Sequence, residues 1–245
     1  GHVSAATYLR ILIPELLPER EERVVYIDAD CVVPGNVREL AESSPQDCAL
    51  LAVPEGDRRM DSPVGVPSYR ELGIAAEARV FNGGVLVMNL AQWRRQQLHR
   101  QVLRYYETHG HDVRFWDQDG LNAVFAERWL ALDPRWNIRI DCSKTSGFGR
   151  KELEALRQRR GIIHFASALK PWHYYAEHPA RKIFFEYLQR TAWRAWRPRP
   201  PARVLLNRHF WGRQIRRIPV LGKFWAGMMK HMRPGRRTGS VEMSE

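Results

Sequence analysis

The sequence predicts an α/β fold built on a mostly parallel sheet, and three observations predict it. Short apolar runs of β-formers alternate with segments of helical period, the pattern of strands and helices taken in turn. The first clear run, Val24-Val25-Tyr26-Ile27, is continuously apolar, as for a strand covered on both faces. The chain's 245 residues, 44% of them apolar, suit one such domain with an appendage better than two full domains.

Residues 5–17 read as a helix carrying Leu9, Leu12, Ile13 and Leu16, closed near Pro18. After a charged turn, the strand at 24–27 ends in Asp28-Ala29-Asp30; Cys31-Val32-Val33 is again extended, and Pro34-Gly35-Asn36 turns. Residues 49–53 form a second buried strand, and 57–71, with Pro63, Gly65 and Pro67, read as a mobile loop. Phe81-Asn82-Gly83-Gly84 is the entrance to a strand at 85–90. Residues 92–108 have helical period, and Trp116-Asp117-Gln118-Asp119-Gly120 leads into a helix over 121–125, with Asp119 read as its cap. Residues 160–165 are a last strand, followed by a loop to His173 and a helix over 179–193.

The net charge of +12 is confined to one end. Residues 191–241 contain 13 Arg and Lys and no acidic residue, leaving 26 basic against 25 acidic residues before them. The body is near neutral, which argues against nucleic acid as its partner. In the tail, Trp193, Trp196, Phe210, Trp211, Ile215, Phe224 and Trp225 are interleaved with arginines, a composition that suits an anionic membrane surface. Single-stranded nucleic acid and a plain disordered tail are the rival readings. Domains are therefore expected at 1–192 and 193–245, with the protein cytoplasmic and peripheral on the inner face of the cell membrane. Cys31, Cys48 and Cys142 are far apart and odd in number, against a disulfide framework or zinc site and for a reducing compartment. No stretch is apolar enough to span a bilayer. The chain opens Gly1-His2-Val3, so an upstream segment is expected.

The chemistry concentrates at strand ends. Two carboxylates at i and i+2, Asp28 and Asp30, fall in the crevice beyond a sheet edge, where like charges are costly unless a cation compensates them. Oxygen ligands suit Mg²⁺ or Mn²⁺, and an added imidazole from His164 tilts the choice to Mn²⁺. Lys170, six residues on and stiffened by Pro171-Trp172, can meet diphosphate oxygens. Asn82-Gly83-Gly84 allows close approach of a ligand to the backbone, or is a plain turn. Asp117 and Gln118 bring polar groups to the head of a helix.

Five segments, in order, resemble glycosyltransferase family 8: Ala6-Thr7-Tyr8-Leu9-Arg10, Val25-Tyr26-Ile27-Asp28-Ala29-Asp30, Phe81-Asn82-Gly83-Gly84-Val85, Asp117-Gln118-Asp119 and the run from His164 to Trp172. The resemblance implies a GT-A fold and a retaining, metal-dependent transfer of a hexose from a UDP-sugar to a saccharide or glycolipid acceptor such as lipopolysaccharide. It implies Asp28, Asp30 and His164 as metal ligands, Ala29, Ser167 and Lys170 at the nucleotide and diphosphate, and Arg10, Asn82, Gly83 and Asp117 at the donor sugar. Gln118, with Asp117, would face the anomeric carbon. Ser167 stands where the family has glycine, and the family's first strands are expected ahead of residue 5. A donor-incompetent fragment acting as a membrane scaffold is the alternative.

Overall fold

The computed structural model describes residues 5–43, 48–144 and 146–201. The chain divides into Gly1–Trp196, which holds every element below, and Arg197–Glu245. The expected tail, from residue 202 onward, lies outside the described residues.

A 3₁₀ helix, Ala5–Leu12, runs into α1 (Ile13–Leu16). β1 (Arg23–Ile27), β2 (Cys31–Val32), α2 (Val37–Glu42) and β3 (Leu50–Arg59) follow, then β4 (Arg79–Asn89). Next come α3 (Leu90–Arg95), α4 (Leu98–His109), α5 (Asp117–Phe125) and β5 (Trp129–Ala131). β6 (Ile138–Arg139), α6 (Arg150–Gln158), β7 (Ile163–His164) and α7 (Arg181–Leu188) complete the series. The α-helix expected over 5–17 is thus mostly 3₁₀. The tighter turn accompanies a buried Arg10 whose Nε–H donates to the Thr7 carbonyl three residues back.

The main sheet has the order β1-β4-β3-β5, and a second, smaller sheet the order β2-β7-β6. Among the described residues only β3–β5 and β6–β7 are parallel; β1–β4, β3–β4 and β2–β7 are antiparallel. The expectation of a mostly parallel sheet is corrected to a mixed one, within an α/β fold that stands. The reason lies in what a continuous apolar run reports. Along β3 and β4, Leu50, Ala52, Leu86 and Met88 enter a core with Trp93, Leu98 and Phe125. Their alternates Leu51, Val53, Val85 and Val87 enter another with Leu40, Trp136 and Ile162. Both faces are covered, so both are apolar, whichever way the neighbouring strand runs.

Boundaries shift for local reasons. β3 extends to Arg59, into the expected loop, and β4 starts at Arg79, so Asn82-Gly83-Gly84 lies inside a strand and not at its entrance. The helix expected over 92–108 breaks at Gln97, whose φ of 50° is left-handed. α5 is fastened to β4 by Asn122: its side chain accepts the Phe81 N–H at 2.9 Å and donates to the Phe81 carbonyl at 3.0 Å, as a neighbouring strand would.

Candidate active site

A cleft of about 860 Å³ opens past the ends of β1 and β7, beside β4 and the head of α5, and it is lined by Arg10, Asp28, Ala29, Asp30, Asn82, Gly83, Asp117, Gln118, His164, Ser167 and Lys170, the residues expected at the site. Asp28 follows β1 directly. One of its oxygens is occupied: Oδ1 accepts from Arg10 Nη2 at 2.8 Å and from the Tyr26 hydroxyl at 2.7 Å. The other, Oδ2, faces His164 Nε2 at 3.7 Å, and Asp30 Oδ1 lies 3.3 Å from the same nitrogen. Both aspartates thus face the same imidazole nitrogen, while the described side chains whose ligand atoms all lie within 4.8 Å of one another are Asp30, Cys31 and His164. Lys170 completes the group, its Nζ donating to Asp30 Oδ2 at 2.5 Å and to the Phe165 carbonyl at 2.9 Å.

Burial pushes the Asp30 carboxyl up, but its hydrogen bonds and charge contacts with His164 and Lys170 outweigh this and hold it down to about 2. The residue is a permanent anion, as a cation site needs. Cys31 sits opposite His164 in the β2–β7 pair, and its sulfur is close enough to Asp30 and His164 to join a ligand set. Burial and the neighbouring aspartates push its thiol well above the ordinary value, however. Two carboxylates and an imidazole suit Mg²⁺ or Mn²⁺, whereas a thiolate suits softer ions.

Arg10, expected at the donor sugar, stands in the cleft wall with most of its hydrogens committed within the protein. Nη1 donates to the Gly83 carbonyl at 2.5 Å, Nη2 to Asp28 and Nε to the Thr7 carbonyl, while Nε lies 2.8 Å from Asp117 Oδ2 as an ion pair with no hydrogen bond to that oxygen. The guanidinium also stacks 4.4 Å from the centre of the Tyr26 ring. Asp117 is buried, accepts from Thr7 Oγ1 at 2.8 Å, and has its carboxyl pushed up by burial against the opposing pull of Arg10. The residue before it, Trp116, has φ 48° and ψ −124°, a strained conformation that turns the head of α5 into the cleft. Gln118 accepts from Asn82 Nδ2 and from the Gly83 N–H, both at 3.2 Å. Asp119 is not the helix cap it was taken for. Its Oδ2 accepts the N–H groups of Arg114 and Phe115, at 2.7 and 3.1 Å, closing the loop that leads into α5.

Ala29 is exposed on the cleft rim between the two aspartates. Ser167, where a glycine was expected, has its hydroxyl fully engaged: it accepts from the Cys142 N–H at 3.1 Å and donates to the Leu169 carbonyl at 2.8 Å. It staples the loop that carries Lys170. The glycine pair divides its labour. A Cβ on Gly84 would lie 2.2 Å from His164 Cε1, whereas one on Gly83 would meet nothing nearer than Arg10 Nη1 at 3.2 Å. Gly84 is there to make room for the histidine ring.

The sequence reading missed four parts of this site. Tyr26 looked like any apolar strand residue, and Thr7 like a helix surface residue. Asn137, buried at 4% exposure, bonds His164 and Asn82 together. Glu55, also 4% exposed, is paired with Arg139 and with Arg58 Nη1 at 3.2 Å, while its Oε2 has no hydrogen-bond partner. Thr7 and Tyr26 lie inside two of the quoted segments without a role of their own, Asn137 and Glu55 lie in none, and each of the four is brought in by a different element.

Comparison with known proteins bears on this geometry. The model of the family described as Glycosyl transferase family 8 matches residues 1–176. The chain belongs to glycosyltransferase family 8. This family 8 chain is 28% identical over 202 residues to General stress protein A of Bacillus subtilis (strain 168), covering 79% of this chain and 68% of that protein. It is 25% identical over 206 residues to the lipopolysaccharide 1,2-glucosyltransferase of Escherichia coli (strain K12), covering 82% of this chain and 59% of that one. The lipopolysaccharide glucosyltransferase WaaO of the same strain is 27% identical over 201 residues, at 77% and 56%. The family 8 chain thus spans little more than half the length of these two enzymes. Among solved structures, galactosyltransferase LgtC in complex with donor and acceptor sugar analogues superposes with a TM-score of 0.62 at 23% identity, covering 82% of this chain and 70% of that one. The fold is GT-A. Among the described residues no helix is long and apolar enough to cross a membrane.

Proposed function

We propose that this family 8 chain transfers a hexose from a UDP-sugar to a saccharide acceptor with retention of configuration, using a divalent cation, Mn²⁺ ahead of Mg²⁺. The observation that carries the proposal is that Asp28 Oδ2 and Asp30 Oδ1 both face His164 Nε2, at 3.7 and 3.3 Å, in one cleft, with Lys170 beside them. A cation bound by these three groups supplies Lewis-acid stabilisation of the charge that develops on the diphosphate leaving group. Lys170 adds a second positive charge at the same oxygens, on a loop held by Ser167. Asn82, Gly83 and Asp117 line the donor-sugar side. Gln118 offers the anomeric carbon a carboxamide whose oxygen already accepts two hydrogen bonds, which makes it a poor nucleophile. Same-face attack fits this better than a covalent glycosyl-enzyme, with the departing phosphate oxygen taking the acceptor's proton. The acceptor is a cell-surface glycan such as lipopolysaccharide.

Thermal melts of the parent and Asp30→Asn with and without Mn²⁺, beside UDP release from UDP-glucose and UDP-galactose, test this. Mn²⁺ at a hundredfold excess over Kd should stabilise the parent by about 2.7 kcal/mol and leave Asp30→Asn unmoved. The variant's metal-free melt should also fall slightly, because its amide loses the charge partner of Lys170. Its transfer should drop at least about 100-fold. Equal Mn²⁺ shifts in both proteins, or none in either, overturn the assignment, and none in either is what the scaffold reading predicts.

The basic tail adds a location. Residues 193–237 should bind anionic vesicles, weakening as salt rises, while a chain ending before Pro198 keeps its Mn²⁺ response and stays in the supernatant. Equal pelleting of both removes the peripheral-membrane assignment on the inner face of the cell membrane.

A further inference from the structure

The metal site is wired to the donor-sugar residues through a chain of amides whose direction can be worked out. We propose that Asn137 is the positioning residue of the site: its carboxamide holds His164 with Nε2 toward Asp28 and Asp30, and ties that ring through Asn82 to Gln118. The inference rests on the metal reading above and adds to it a residue that no ligand would touch.

Two backbone amides, which can only donate, fix the direction of the chain. The Gly84 N–H meets one end of the Asn82 carboxamide at 3.0 Å, so that end is the oxygen. The atom of Asn137 that faces this oxygen at 2.8 Å must then be its nitrogen. The other end of Asn137, 2.9 Å from His164 Nδ1, is therefore the oxygen, and Nδ1 carries the hydrogen between them. In the neutral ring the lone pair is left on Nε2, the atom nearest both aspartates. The Gly83 N–H fixes Gln118 in the same way. It meets Oε1 at 3.2 Å, and Asn82 Nδ2 donates to that same oxygen, also at 3.2 Å.

Asn is the residue type this place needs. The side chain is 4% exposed between a ring nitrogen that donates and an oxygen that accepts, so it must offer one acceptor and one donor a carboxamide's width apart. Asp would keep the acceptor and lose the donor, and an apolar residue would leave two buried polar groups unmatched. Its sequence position explains how it arrives. Asn137 ends the 3₁₀ turn Pro134–Asn137, directly before β6, which pairs in parallel with the strand carrying His164. The partner of a ligating imidazole's other nitrogen sets ring orientation and typically governs affinity by about 10–100-fold.

Free Mn²⁺, counted by its electron paramagnetic resonance signal during titration into the full chain, tests the proposal. Asn137→Ala should weaken Mn²⁺ binding about 10–100-fold. Asn137→Asp, which keeps an oxygen toward Nδ1, should recover most of the affinity while its metal-free melt stays lowered by the lost bond to Asn82. A merely structural role would make affinity follow the melt in both variants. Parental Mn²⁺ affinity in Asn137→Ala, or Asn137→Asp as weak as Asn137→Ala, overturns the proposal alone. A parent chain that binds no Mn²⁺ overturns the metal reading and this one with it. Should Asn137→Ala not fold, ¹⁵N spectra of the unsubstituted chain decide: the His164 Nδ1 should carry an exchange-protected proton, and a bare Nδ1 refutes the assignment.

Discussion

Gly84→Ala is expected to destroy the proposed metal site through one methyl group. The added Cβ would sit 2.2 Å from His164 Cε1, 2.5 Å from Nδ1 and 3.0 Å from Asn82 Oδ1, distances that force something to move. The ring is buried and tied to Asn137, and Asn82 is held by the Gly84 N–H itself, so neither can retreat without breaking hydrogen bonds. Overpacking of this kind costs about 1–3 kcal/mol. Displacing the imidazole from the two aspartates should lower Mn²⁺ affinity by about 10–100-fold or more, and transfer with it. Gly83→Ala is the control. Its nearest contacts are the flexible end of Arg10 at 3.2 Å and Leu121 Cδ1 at 3.8 Å, and the N–H and carbonyl that serve Gln118 and Arg10 belong to the backbone. Its Mn²⁺ affinity should stay near that of the parent. Adding His164→Ala to Gly84→Ala should restore stability without restoring Mn²⁺ binding, because the clash and the ligand are the same ring. Parental Mn²⁺ affinity in Gly84→Ala would show that the ring has somewhere else to go.

The contrast between the two glycines marks the limit of what the sequence could say. Asn82-Gly83-Gly84 stood out as a place of close approach, and it is one, but the approaching group at Gly84 is a side chain from 80 positions away. The proposed metal ligands were legible because a carboxylate pair after a buried strand has few structural excuses, and a histidine at another strand's end supplies the missing chemistry. Asn137 was not. An asparagine in Pro134–Asn137 reads as turn chemistry, and only the pairing of β6 with β7 puts it beside His164. Sheet direction was illegible for a related reason: Val85 and Leu86 had to be apolar to enter opposite cores, whatever the orientation of β3. Local pattern reports how a residue is covered, whereas pairing is decided by contacts between distant segments.

Arg10→Met is expected to be the most damaging change at a residue that is not itself a proposed metal ligand. The guanidinium is 7% exposed and stands between Asp28 Oδ1 and Asp117 Oδ2, at 2.8 Å from each, while holding the Gly83 carbonyl. Removing it leaves Asp117 buried with a hydroxyl for a partner and no compensating charge, which should cost about 3–5 kcal/mol. Arg10→Lys should recover only part of this, since one ammonium cannot reproduce the guanidinium's separate contacts with Asp28, Asp117 and the Gly83 carbonyl. The loss should also acquire a pH dependence with a definite sign. Burial already raises the Asp117 carboxyl above its ordinary 3.8, and without Arg10 the opposing pull is gone. A folded-state value above the unfolded one means that the native state holds its proton longer, so stability falls as pH rises. The variant should therefore be closest to the parent near pH 4, and the gap should widen from there until the pH passes the folded-state value, then level off. Asp117→Asn in the Arg10→Met background removes the titrating group and should flatten that gap while returning part of the lost stability. Urea unfolding of the parent, the two Arg10 variants and the double variant across pH 4–8 measures each term. A deficit that shrinks toward alkaline pH, or a double variant no more stable than Arg10→Met, would mean that Asp117 is not the charge Arg10 is there to hold.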